Sequence, residues 1–356
     1  MNIQVSTLRL VPGAPPPSAD LEAFAEVSRR SIVATLGDDD LADPAHVVIS
    51  AFAEQNYRRK MVLLARDGAR TLGGLWLGLP LKDNTSLAEA SFSLDPDHDP
   101  APVVDALWAG AVPVLRAEGR RTALVWSDHA ADADAEHVVP RTGVGSVPRD
   151  ALATALLDLG FVLEQVERHS VLAVAPALER AAAELPAARQ AAGTAYRTLG
   201  WVGPVPPERR GAMARLMSRM STDVPAGALE LEEEVWDADR VAESDRVCAQ
   251  AGRARVMTVA EHVASGELAA YTYVDLPGDK PAVGYQEDTL VHADHRGHRL
   301  GMLVKAENLR RVAEHAPALE RLHTWNADEN GHMLAINEAL GFRPASHEGA
   351  WQLAGV

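Results

Sequence analysis

Two helix-like segments of this chain stop in the same way. Ala155–Gly160 reads Ala-Leu-Leu-Asp-Leu-Gly and runs into Phe161, and Ile336–Phe342 reads Ile-Asn-Glu-Ala-Leu-Gly-Phe. In each, a glycine after leucine serves as a left-handed helix stop. At 356 residues the chain is long for one core, and two units of ~150–200 residues are the natural division. The shared stop implies that the two units are copies of one α/β plan.

The order of patterns supports a duplication. In the first half a strand pattern at Gln4–Val11 precedes helical patterns at Ala19–Thr35 and Pro44–Lys60. Strands follow at Met61–Arg66, Thr71–Leu79 and Leu87–Leu94. Helix Pro102–Glu118, strand Thr122–Ser127, helix Arg149–Leu159 and a strand pair across Phe161–Val174 complete the half. Pro176–Ala192 reads as a linking helix. The order then restarts with strand Tyr196–Gly200, helices Pro206–Met220 and Asp237–Gly252, and strands Arg255–Ala260, Leu268–Asp275 and Val283–His292. Helix Leu300–His315, strand Arg321–Asn326, helix His332–Leu340 and strand Ala350–Ala354 close it. The expected division is 1–175, a linking helix at 176–194, and 195–356.

Charge and cysteine content narrow the function. The formal net charge of −16 repels nucleic acid and anionic membrane, and favours a cationic or amine-bearing partner. The single Cys248 excludes an internal disulfide and a multi-cysteine metal site, and reads as a small core residue. No histidine pair has zinc-enzyme spacing, so no metal is expected. The N-terminus lacks a basic stretch followed by an apolar core, and no apolar run approaches ~20 residues, so a cytoplasmic location is expected.

The second half carries a turn that the first lacks. Asp294-His-Arg-Gly-His-Arg-Leu-Gly-Met302 joins a strand pattern to a helix pattern. Such a junction gathers unpaired backbone N–H groups and the positive helix end at one point, where phosphate binds. It is neither GxxxxGK[ST] nor GxGxxG. At the matching place the first half reads Leu94-Asp-Pro-Asp-His-Asp-Pro-Ala101, whose three aspartates repel phosphate. The first half is expected not to bind such a ligand, and to shape the acceptor side or an oligomer interface.

Arg296-Gly-His-Arg-Leu-Gly301, Asn326, Asn330-Gly-His-Met333, Asn337 and Leu340-Gly-Phe342 together resemble the GNAT superfamily of acyl-CoA-dependent N-acyltransferases, and look like its tandem-domain members from actinobacteria. The resemblance is specific over about 280–345 and weaker upstream to about 196. It implies two tandem GNAT-like domains of α/β (α+β) class, each a mixed, mostly antiparallel sheet flanked by helices. It also implies acetyl-CoA as co-substrate, its pyrophosphate on the amides of Arg296, Gly297, His298, Arg299, Leu300, Gly301 and Met302. Arg299 stands where the family's middle glycine is usual, which is tolerable if its side chain points outward. Pantetheine would lie between Val283–His292 and Arg321–Asn326, with Leu290, Val291 and His292 supplying backbone groups and an amide for the thioester oxygen. Asn330 matches a family position at the pantetheine or thiol end, with Asn326 and Met333 beside it. Asn326 and Asn330 could equally cap helices.

Amine acyl transfer needs a neutral amine and a route for its proton. Glu287 and Asp288 lie on the entering strand at family-like positions for a base. Strand alternation lets only one face the cleft, and Asp288 is preferred; a strand ion pair is the other use of either. Where many members place a tyrosine acid for the leaving thiolate, this chain has Asn337, which cannot donate a proton as an acid at neutral pH. Tyr285 is another candidate acid, and His292 could relay a proton. Lys305, Arg310 and Arg311 lie off the apolar stripe of their helix, either solvated or pairing with the 3′-phosphate. The leading expectation is acetyl transfer to a primary amine of a small molecule by direct attack. A catalytically silent CoA-binding scaffold, an enzyme acting on a protein amine, and one using an aminoacyl- or carrier-bound donor remain alternatives. A homodimer is compatible with any of them.

Overall fold

The computed structural model describes residues 2–11, 15–223, 225, 227 and 229–356. Twelve strands form one sheet. The first half supplies β1 (Gln4–Arg9), β2 (Arg58–Asp67), β3 (Arg70–Pro80), β4 (Leu87–Leu94), β5 (Thr122–Ala130) and β6 (Val162–Ala173). The second supplies β7 (Tyr196–Val202), β8 (Arg253–His262), β9 (Leu268–Pro277), β10 (Val283–Val291), β11 (Arg321–Ala327) and β12 (Arg343–Ala354). The α-helices of eight or more residues are α1 (Ser18–Leu36), α2 (Ala45–Ala53), α3 (Pro100–Ala117), α4 (Ala151–Asp158), α5 (Val174–Ala192), α6 (Arg210–Ser218), α7 (Ala238–Gln250), α8 (Leu300–His315) and α9 (Gly331–Leu340).

The spatial order is β1-β2-β3-β4-β5-β12-β6-β11-β10-β9-β8-β7. Neighbours run antiparallel except β4 with β5 and β10 with β11. The halves are therefore interlocked. The last strand of the second half, β12, pairs with β5 of the first along Ser346–Ala354, and β6 of the first pairs with β11 of the second. This corrects the strand pair expected across Phe161–Val174. That stretch is one strand, because its partner comes from the far end of the chain. The helix expected over Pro44–Lys60 also ends early, at Ala53, and β2 begins at Arg58.

Helices cover both faces. Gly73 and Gly74 of β3 let them come close: a Cβ would meet Val103 of α3 at 2.8 Å from Gly73 and the Phe24 ring of α1 at 2.5 Å from Gly74. The first core gathers Leu63, Leu75, Leu107, Phe161 and Trp351, the last donated on β12. A second core packs α5 and α8 against the back of the other half, with Leu172, Val274, Leu303 and Phe342. A third, with Met213, Met217, Tyr271 and Leu290, joins the front of that half to α6 and α7.

Both Leu-Gly stops are left-handed, with φ 88° at Gly160 and 105° at Gly341. Counting on from the two phenylalanines, Glu167 and Glu348 are equivalent residues of the two copies. They are also direct partners across β6 and β12. Equivalent residues can pair with each other only at the axis relating the copies, so the duplication axis passes between these carboxylates.

Candidate active site

Strands β10 and β11 pair only over Val283–Tyr285 with Arg321–His323 and then part. The hydroxyl of Thr324 donates to Gln286 O at 3.1 Å at the start of the opening. Beyond it, the side of β10 facing β11 carries no ladder. His292 N donates to Ala269 O at 2.9 Å, so alternation along the antiparallel pair turns the Leu290 amide to β9 as well. The amides of Thr289 and Val291 then face the opening. Of the three residues expected to offer backbone groups there, Val291 alone does so. Leu290 belongs to the front core and also borders the cleft, and His292 lines a smaller pocket with His295 and Glu267.

A cavity of about 710 Å³ lies over this opening and the start of α8. Leu290, Val291, Arg296, Gly297, Arg299, Leu300, Gly301, Met302, Asn330 and Met333 line it, together with Asp223, Thr289, His332 and Ile336. The first ladder bond of α8 runs from Leu303 N to Arg299 O, which leaves the amides of Leu300, Gly301 and Met302 without intrahelical acceptors. Arg299 is left-handed, with φ 54° and ψ 26°, the geometry a glycine would supply at no cost. Its guanidinium turns to Glu184 of α5 at 2.7 Å, so the backbone keeps the turn and the side chain leaves it. Arg296 bends over to Asp223, at 3.3 Å from its carbonyl and 3.6 Å from its carboxylate.

The remaining expected residues are less exposed to this cavity. The His298 ring packs on Tyr196, centroids 5.2 Å apart. Asn330 caps α9, accepting from Met333 N at 3.2 Å, while also lining the cavity. Asn337 donates to Asn326 Oδ1 at 2.6 Å behind the lining, and its own Oδ1 is buried with no partner among the described residues. Lys305, expected on a solvated face, is buried against the Phe342 ring at 5.5 Å, because α8 is packed on nearly all sides. Arg310 pairs with Glu307 and Glu314, and Arg311 fills the space above Gly200, so none of the three reaches the cavity.

The first half has an ion-pair knot in place of the turn. Asp95 is buried and takes Arg30 at 2.7 Å and Arg70 at 2.8 Å, and Asp97 takes the same two arginines. Asp99 caps α3 through Ala101 N. Four charges satisfy one another where amides would have to stand free.

A second cavity, also about 710 Å³, opens on the front between the halves, with Asp288 on its wall. Its lining joins α7 and the segment before it to Asp43, Tyr57, Lys60 and Asp83 of the first half. Most of its charges are paired: Arg253 with Asp43, Arg240 with Asp83 and Glu234, Arg255 with Asp275, Arg58 with Glu89. Glu54 and Glu243 are both held by Arg246. Arg240 is sandwiched by Trp236 and Tyr57, at 4.5 and 5.5 Å from their rings. In the acidic run Glu230–Glu234, Glu232 accepts from Asn84 N and Glu234 from Trp236 and Arg240. Cys248 lies in this wall, its thiol pushed up to about 12 by burial.

Strand alternation fails where it matters. The β9–β10 register slips between Thr272 and Val274, so Glu287 and Asp288 together oppose Tyr273. Both carboxylates consequently share the surroundings of Arg255 and Asp275. Of the two, Asp288 alone lines the front cavity. Burial, then Asp275 and Asp288, push Glu287 up to about 8. Burial also raises Asp288, but the Tyr271 hydroxyl opposes the rise by donating to its Oδ2 at 3.1 Å. Tyr285 is spent on structure, donating to Asp40 O at 2.7 Å. Sequence reasoning did not single out Tyr271, and nothing in its strand pattern marks it.

Among the described residues no group of three or more His, Cys, Asp or Glu side chains is placed to hold a metal ion, and no helix is long and apolar enough to cross a membrane. No protein-family model matches the sequence, and no curated protein matches it. Solved structures do. A tandem GNAT protein from the clavulanic acid biosynthesis pathway is 22% identical, covers 99% of each chain and superposes with a TM-score of 0.76. A GCN5-related N-acetyltransferase from Sphaerobacter thermophilus is 10% identical, covers 98% of this chain and 95% of its own, and gives 0.62. The chain has the tandem GNAT fold.

Proposed function

We propose that this chain is an acyl-CoA-dependent N-acyltransferase that moves an acetyl group from acetyl-CoA to a primary amine of a small molecule. The observation carrying this reading is the opening between β10 and β11, with a phosphate-suited cavity over it and Asp288 in a second cavity on the front. The first cavity fits coenzyme A. The free amides of Leu300–Met302 and the left-handed turn at Gly297 and Arg299 suit a pyrophosphate, and the Thr289 and Val291 amides suit the amides of pantetheine. Bound acetyl-CoA supplies the acyl thioester. The Val291 amide is the donor available to an oxygen gaining negative charge.

Asp288 is the base, because it lines the front cavity and the Tyr271 hydroxyl opposes the rise in its pKa, whereas Glu287 is pushed up by burial and its neighbouring carboxylates. The amine nitrogen bonds to the acyl carbon, the carbon–sulfur bond breaks, and the ammonium proton passes to Asp288 Oδ. The sulfur leaves as the thiolate of CoA. Asn337 supplies no proton to it. The front cavity, about 710 Å³ and lined by both halves, suits a small acceptor better than a protein chain. Release of free thiol from acetyl-CoA across a panel of small primary amines tests the proposal. Acceptor-dependent release supports it, and no release with any amine, from protein that binds CoA, overturns it.

A further inference from the structure

Resting on the acyl-transfer reading, the front cavity also says what the acceptor carries besides its amine. Apart from Asp288 and Lys60, each charged side chain of its wall is held in an ion pair. Asp288 has the Tyr271 hydroxyl and no cation among the described residues. Lys60 has one bond, from Nζ to Ala51 O at 2.7 Å, and no ion pair among the described residues; the charge of Glu54 acts on it, but Glu54 is itself held by Arg246. The two come from opposite halves, Lys60 on β2 and Asp288 on β10.

A half-buried ammonium with one partner out of three donors is incompletely satisfied. Burial lowers the pKa of Lys60 from its ordinary value. An anion placed on it would supply the missing counter-charge, as an ammonium would for Asp288. We infer that the acceptor is a zwitterion, an amino acid or other aminocarboxylate, with its amine at Asp288 and its carboxylate at Lys60. Aromatic walls at Tyr57, Trp236 and Tyr273 leave room for an apolar or flat middle. The first half thus binds one end of the substrate although it has no phosphate turn.

The test compares aminocarboxylates with the same amines lacking the carboxylate: L-phenylalanine with phenethylamine, 4-aminobutyrate with propylamine, and 6-aminohexanoate with pentylamine. At least one aminocarboxylate should exceed its partner amine tenfold or more in kcat/KM. Lys60→Met should shrink that ratio to within about threefold through KM, and Lys60→Arg should preserve it. Equal rates within every pair, or an undiminished ratio in Lys60→Met, would overturn the inference while leaving acyl transfer standing. If no amine releases thiol, binding of the same compounds is read by calorimetry. Aminocarboxylate binding weakened tenfold by Lys60→Met then supports the zwitterion site and sinks the transfer reading, and no preference for the aminocarboxylates sinks both.

Discussion

Glu167 and Glu348, equivalent residues of the two copies, face each other as direct partners in the antiparallel pair at the centre of the sheet. Asp128 faces Glu348 from the other side, so three carboxylates stand in a row across β5, β12 and β6. No ion pair reaches any of them among the described residues. Duplication explains the arrangement. An acidic residue at the axis position of the ancestral strand meets its own copy when two such strands pair.

The row should make the protein less stable in alkali. Burial raises Glu348 well above its ordinary value and holds Glu167 at about 7, so both carboxyls are protonated in the folded state at pH 5 and must ionise or bear the penalty above it. For an acid with a raised folded pKa, stability is full below the unfolded value and is lost as pH rises through the folded one. Like charges directly opposite cost on the order of 1 kcal/mol. Glu348→Gln should therefore raise Tm by roughly 2 °C at pH 8 and have little effect at pH 5. An equal shift at both pH values would show that the carboxylates do not repel.

Much of the fold was legible in the sequence because it rests on short-range signals. The Leu-Gly-Phe stops, the bounds of Leu300–His315 and the strand Leu87–Leu94 follow from local pattern and appear at those residues. The exchange of β6 and β12 was not legible. Period-two hydrophobicity says that a strand is buried on a face, not which strand lies beside it. The phosphate turn was readable as a junction of strand and helix. The bulge at Glu287–Asp288 was not, because it depends on the register of β10 against β9. Lys60 and Asp43 come to the front cavity only through packing between residues more than two hundred positions apart.

Asp288 and Glu287 should behave differently. Asp288→Asn removes the proton acceptor and should lower kcat/KM for amine acetylation by about 10²–10⁴-fold. Glu287→Gln changes a carboxyl that does not line the front cavity, and should cost less. Tyr271→Phe removes the donor that opposes the rise in Asp288, so the ascending limb of the kcat/KM pH profile should move to higher pH. Tyr271 is a positioning residue, and a limb that stays put in Tyr271→Phe would reduce it to core packing.

The phosphate assignment rests on Gly301. A Cβ there would meet Ile336 Cδ1 at 3.0 Å and Val291 Cγ2 at 3.6 Å, across the cavity wall. Gly301→Asp adds a carboxylate beside the free amides of the α8 start, where it competes for them and repels phosphate. CoA binding measured by calorimetry should weaken at least tenfold, with α8 still folded by circular dichroism. Unchanged affinity would place the pyrophosphate elsewhere.

Lys305 is a place where one substitution should gain stability. It is 3% exposed, its Nζ lies by the Phe342 ring, and no carboxylate pairs with it among the described residues. Burial lowers its pKa to about 7 from 10.5. A base with a depressed folded pKa binds fewer protons folded than unfolded between those values, so wild-type stability should rise with pH from about 7 towards 10. The penalty at pH 7 is on the order of 2–4 kcal/mol. Lys305→Met keeps the length and apolar stem without the charge, and should raise Tm at pH 7 by about 4–8 °C, the gap closing towards pH 10. A lower Tm for Lys305→Met at pH 7 would mean that the ammonium has a partner, such as a phosphate, in the folded protein.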